Sequence, residues 1–205
     1  MTSSKASLIW RGSIWVGVIL TLLVPIGLAA NSPLLAWRDS IYILGGFAGI
    51  IALALLLVQP LLISGFLPGI SLGSARRLHR VVGAALLVSV VLHVGGLWVT
   101  SPPDVIDALL LSSPTVFSVW GVVAMWAGFA SGGLALMRRR IGLRNWRKGH
   151  TALALIIVTG SVMHAMLIDG TMETFSKAAL SSAVIVVTLF VTQRLQGGIF
   201  RPRQE

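Results

Sequence analysis

The sequence predicts an all-α integral membrane protein, a six-transmembrane-helix bundle with both termini cytoplasmic. Three observations carry that expectation. The 205 residues are 56% hydrophobic and 11% charged, and a mean hydropathy of +0.91 lies far outside the range of soluble domains. The apolar residues fall into six runs, each close to the ~20 residues that cross a hydrocarbon core. The Lys and Arg residues gather in alternate connections between those runs, as the positive-inside rule requires.

The first run, residues 14–30, follows a polar segment with Lys5 and Arg11 and contains Pro25. Its Leu-Ala-Ala-Asn ending resembles a signal-peptide cleavage site, but Leu28 would occupy a position that cleavage reserves for small residues, so a retained span is expected. Span two is 41–62. The Gly-, Ser- and Pro-rich stretch 63–78 reads as a loop ending in Arg76 and Arg77, and span three runs over 79–100. Residues 101–114 hold Asp104 and Asp107 with no basic residue, and span four is 115–137. The most basic stretch, Arg138 to Lys148, precedes span five at 150–168. After Asp169 and Glu173, span six occupies 175–192, followed by Arg194, Arg201 and Arg203.

With the N-terminus inside, fourteen of the sixteen basic residues fall on the cytoplasmic side, leaving only Arg38 and Lys177 outside with five of the six acidic ones. That asymmetry sets the orientation and points to the cell inner (cytoplasmic) membrane. It also accounts for the net charge of +10 without nucleic acid as a partner. Trp10, Trp37, Tyr42, Trp98 and Trp146 fall near span ends, as interfacial aromatic belts do. Six spans leave no room for a soluble domain, so a single domain over 1–205 is expected. The absence of cysteine excludes disulfides, Cys-ligated iron–sulfur clusters and thioether-attached haem.

The four histidines are His79, His93, His150 and His164. They form two pairs, each fourteen residues apart, in RRLHRVVGAALLVSVVLH and RKGHTALALIIVTGSVMH. On a helix, fourteen residues fall about 40° short of four turns and span roughly 21 Å, so each pair shares nearly one face at two depths. Both spans enter from the inside. His79 and His150 therefore lie at one level and His93 and His164 at a second. Two neutral imidazoles opposed at equal height are the geometry that clamps a porphyrin iron from both faces, with Nε2 as ligand and Nδ1–H bonded to a carbonyl.

Two stacked haem b groups are expected, or one if a single site fills. Gly83, Gly95, Gly96, Gly149 and Gly160 are expected to bring backbone close to a flat macrocycle, although small residues also serve ordinary helix packing in membranes. Arg80 and Arg147 are the candidates to hold haem propionates. Trp126, near the middle of span four, stands beside the haems or serves packing. A haem-free transporter or scaffold is the competing class, but transport sites bring acidic residues into the spans, and here there are none. One zinc ion held by all four histidines is disfavoured by the distance between the pairs.

Leu78-His79-Arg80 with Gly83 and His93, and Trp146-Arg147 with His150 and His164, resemble the ferric reductase-like transmembrane domain superfamily over about residues 40 to 170. That group includes ferric reductases, NADPH oxidases and the haem-binding membrane subunit of the bacterial methionine sulfoxide reductase system. The resemblance implies a six-helix bundle, bis-histidine haem b and electron transfer across the membrane. About a dozen residues follow Thr192, with no Gly-rich nucleotide fingerprint. The expected donor is therefore a separate flavoprotein reductase or membrane quinol. The expected acceptor is an outer-side oxidant, as in ferric or other metalloreductase activity with a partner, or a periplasmic reductase for which the chain is membrane anchor and electron-delivery subunit. Six-coordinate iron leaves no open position for substrate, so no catalytic residue is assigned.

Overall fold

The computed structural model describes residues 2–199, with side chains described from residue 8 to residue 194. Arg201 and Arg203, counted in the cytoplasmic tail, lie outside the described residues. All the elements among them are helical: α1 (Thr2–Ala30), a short 3₁₀ turn (Pro33–Leu35), α2 (Ser40–Ser64), α3 (Leu72–Thr100), α4 (Pro102–Leu109), α5 (Val116–Leu136), α6 (Arg138–Ile141), α7 (Leu143–Leu167) and α8 (Thr174–Ile199). Six of these, namely α1 from Leu8 onward, α2, α3, α5, α7 and α8, are long and apolar enough to cross a membrane. The chain is a multi-pass membrane protein.

Local chemistry sets the ends. Asp39 caps α2 by accepting from the Ile41 N–H, and Gly65 ends it at φ 74°, a left-handed conformation that suits glycine. Ser71 caps α3 by accepting from the Ser74 N–H. Several boundaries differ from the sequence reading, and α1 already begins at Thr2, twelve residues before the expected span. The segment 101–114 contains α4, opened by Pro102 in its first turn where no N–H is needed. More consequentially, α3 and α7 begin at Leu72 and Leu143, each seven residues before its first histidine. Arg76, Arg77, Arg144 and Arg147 lie inside those first turns and are exposed. A long arginine stem can cover apolar surface while its head stays wet, so a basic cluster does not have to end a membrane helix.

The packing has one dominant pattern. α2 lies along α3, and α5 lies along α7, as two helical hairpins. α8 packs against both α2 and α7, and α1 sits outermost against α8 and α2. The tightest part of the bundle is under α8, where Leu180 and Val184 are fully buried and share a cluster with Ile50, Leu53, Leu57, Val158 and Val162. By contrast, the backbones of α3 and α7 scarcely approach each other. The two helices that carry all four histidines face each other across a gap.

Candidate haem-binding site

Across that gap the histidines meet in two pairs. His79 faces His150 with ring centroids 6.1 Å apart and planes at 72°. His93 faces His164, also at 6.1 Å, with planes at 77°. The register follows from the common starting point: His79 and His150, the inner pair of the orientation that charge predicts, lie the same distance from the start of their helices, and fourteen residues later His93 and His164, its outer pair, are level again.

Every ring is held by its Nδ1. His93 Nδ1 donates to the Gly45 carbonyl at 2.8 Å, His164 Nδ1 to the Phe117 carbonyl at 2.9 Å, and His79 Nδ1 to the Gln59 carbonyl at 3.2 Å. A carbonyl only accepts, so the proton sits on Nδ1 and Nε2 is left as a bare lone pair. His150 Nδ1 instead meets the Ser131 hydroxyl at 2.9 Å. These partners repeat with the histidines, since Gly45 and Gln59 on α2 are fourteen residues apart, as are Phe117 and Ser131 on α5. The internal repeat thus extends from α3 and α7 to their hairpin partners.

Glycine makes these approaches possible, though mostly not the glycines expected. A Cβ on Gly49 would lie 2.9 Å from His93 Nδ1, and one on Gly121 would lie 2.7 Å from His164 Nδ1. Neither glycine drew notice in the sequence, because each sits on the neighbouring helix rather than beside a histidine in the chain. Gly96 and Gly160 serve helix contact: a Cβ there would reach Gly45 Cα and the Trp120 carbonyl, both at 2.9 Å. That closeness lets the outer histidines reach carbonyls on α2 and α5. Gly83 makes room for the Gln59 amide, which donates to the His79 carbonyl at 3.3 Å. Gly149 meets Leu134, and Gly95 meets nothing within 4 Å.

The outer pair lies in the wall of a cavity of about 500 Å³ lined mainly by apolar side chains, including Leu53, Leu86, Val90 and Ile157. The inner pair lies outside it, with Trp146 stacked on His150 at 5.3 Å and 16° and its indole N–H buried without a partner. Trp146, expected near a span end, thus packs directly on a histidine of this pair. Arg80 and Arg147 are exposed beside this pair. Trp126 is 58% exposed, packs edge-on against Phe129 and does not line the cavity. Asp104 accepts from the Ser101 hydroxyl, and both line the same cavity. Lys177, which sequence reading treated only as an outside charge, is buried in the same wall.

These donor sets can be tested against the group they would hold. Two metal–nitrogen bonds of about 2 Å in line, plus about 1 Å from each nitrogen to its ring centre, place two axial imidazole centroids about 6 Å apart. Both measured separations agree. Among the described residues no cluster of three or more His, Cys, Asp or Glu side chains converges on one point. A metal bound by either pair must bring its remaining ligands with it. A planar macrocycle supplies four, and the cavity lined by His93 and His164 opens beside one of the two pairs.

A family model described as ferric reductase like transmembrane component matches residues 45–161. That segment runs from the carbonyl that orients His93 to the last turn before His164. No curated protein and no solved structure matches the chain.

Proposed function

Because the chain belongs to the ferric reductase like transmembrane component family, we propose that it is one membrane domain that carries electrons across the cytoplasmic membrane by way of two haem b groups. The observation that carries this reading is the pairing of all four histidines at two levels with their Nε2 atoms free. His79 and His150 hold the inner group, and His93 and His164 the outer one. Bound haem supplies one-electron chemistry between ferric and ferrous iron, with potential tuned by ligand hydrogen bonds and burial. The chain's own residues orient the imidazoles, keep Nδ1 protonated on the three rings that bond carbonyls, and surround the outer pair with mainly apolar side chains.

Charge favours both termini on the cytoplasmic side, which makes the inner pair the entry. Arg80 and Arg147 flank it as partners for haem carboxylates. The arginine-rich inner surface suits an acidic flavoprotein donor, and a membrane quinol is the second donor class. The acceptor reacts at the outer end, near α4 and the connection before α8, either as a soluble oxidant such as ferric iron or as a periplasmic reductase served by this chain.

A visible spectrum of the purified protein tests the reading. Sharp α and Soret bands after dithionite are expected, with two haems per chain. Their absence would sink the haem proposal. His93→Ala and His164→Ala should remove one spectral component, and His79→Ala and His150→Ala the other. Loss of both components in every variant would argue against separate pairs.

A further inference from the structure

Lys177 is 5% exposed, although it lies in the first turn of α8, where a cation opposes the positive end of its own helix. Burial of an ammonium is costly unless its charge and donors are matched. Its Nζ donates to the Ile168 carbonyl at 2.7 Å, and among the described residues no carboxylate pairs with it. An ammonium has three donors. Two remain after Ile168.

The position of that carbonyl is informative. The Ile168 N–H bonds the His164 carbonyl at 3.2 Å, so the carbonyl that the ammonium caps belongs to a residue one turn, about 6 Å of helix rise, beyond an outer-pair histidine. Lys177, His93 and His164 all line the same cavity. Capping the C-terminal end of α7 accounts for one hydrogen bond and a favourable dipole contact. A solvated lysine would do the same without burial, so the two buried, unmatched donors call for an acceptor inside the cavity. Asp104, the carboxylate in that wall, is exposed and engaged by Ser101.

We infer that Lys177 binds a carboxylate of the group held between His93 and His164. On the di-haem reading, on which this inference rests, that carboxylate is a propionate of the outer haem. The ammonium would anchor that edge of the group and supply the positive charge nearest to it. It is the outer counterpart of the arginines flanking the inner pair.

Lys177→Gln separates this role from helix capping, because the amide still donates to a carbonyl but carries no charge. Lys177→Arg restores the charge. The full-length protein in detergent would be compared for haem content, rate of haem loss to a haem-scavenging protein, and midpoint potentials by spectroelectrochemical titration. Lys177→Gln should shed the outer haem several-fold faster and shift the outer component to a lower potential, since a cation beside the haem favours the reduced form. The inner component should be unmoved, and Lys177→Arg should return both properties toward wild type.

An outer haem with unchanged loss rate and potential in a folded Lys177→Gln protein would overturn the inference and leave the di-haem reading standing. If Lys177→Gln does not fold, a Lys177→Arg protein that also leaves the outer component at wild-type potential and loss rate supports the inference, and one that loses the outer haem counts against it. Wild-type protein without haem would remove both.

Discussion

His164 rests so closely on Gly121 that a side-chain carbon at that glycine would lie 2.7 Å from Nδ1. The same relationship joins His93 to Gly49 at 2.9 Å. These rings are held by hydrogen bonds to Phe117 and Gly45, so they cannot turn aside without breaking the contact that fixes the tautomer. Gly121→Ala and Gly49→Ala should each reduce haem content from two to one per chain, with loss of the outer component. Gly95→Ala, facing open space, should leave content unchanged. Haem-to-protein ratios would check all three. Retention of both haems in Gly121→Ala would refute the outer assignment.

Ser131 is the one orienting partner that acts through its side chain. Three rings bond backbone carbonyls, which substitution cannot remove, whereas His150 depends on a hydroxyl. Ser131→Ala should weaken the inner haem on the order of 10-fold, the lower end of the effect of removing a ligand's hydrogen-bond partner. Ser131→Thr should preserve it. Titration of haem into apoprotein would measure the difference, and equal affinities for Ala and Thr variants would count against the role given to the hydroxyl.

The near-perpendicular planes of both imidazole pairs, 72° and 77°, have a spectroscopic consequence. Around an iron bound between such rings, each imidazole would donate π density to a different iron orbital, which would leave those orbitals close in energy. Oxidised protein should therefore give strongly anisotropic low-spin EPR signals from both haems. Two rhombic signals of the kind produced by parallel imidazoles would contradict this ring geometry.

Orientation is testable because the chain has no cysteine. Arg140→Cys should be blocked only by reagents that reach the cytoplasmic face, and Asp107→Cys by impermeant thiol reagents added to intact cells. The reverse pattern would invert the direction assigned to the electron path. Neither substitution touches a histidine or its hydrogen-bond partners.

Much of the fold was legible because a membrane helix must satisfy its backbone internally and present about 20 apolar residues to lipid, a demand that composition records directly. All six spans were recognised. Their ends were less legible: exposed arginines made the starts of α3 and α7 look like loop, although their stems can lie along a helix at the membrane surface. The histidine pairing was also readable, since identical spacing on two helices fixes depth. Which side chains stood beside the histidines was not. Gly83, Gly149 and Gly160 are neighbours of the histidines in sequence, whereas Gly49 and Gly121 are neighbours in space.

Span number, the two levels of histidine and the charge asymmetry that argues for direction follow from periodicity and composition, which are properties of the chain as a line. The carbonyls of Gly45, Gln59 and Phe117 carry no such signature, because every residue has a carbonyl and only helix packing selects the one that faces a ring. The same holds for Lys177. In the sequence it is one basic residue on the acidic side; in the folded chain α8 carries its ammonium into the cavity of the outer pair, where burial and unmatched donors give it a role that linear position could not.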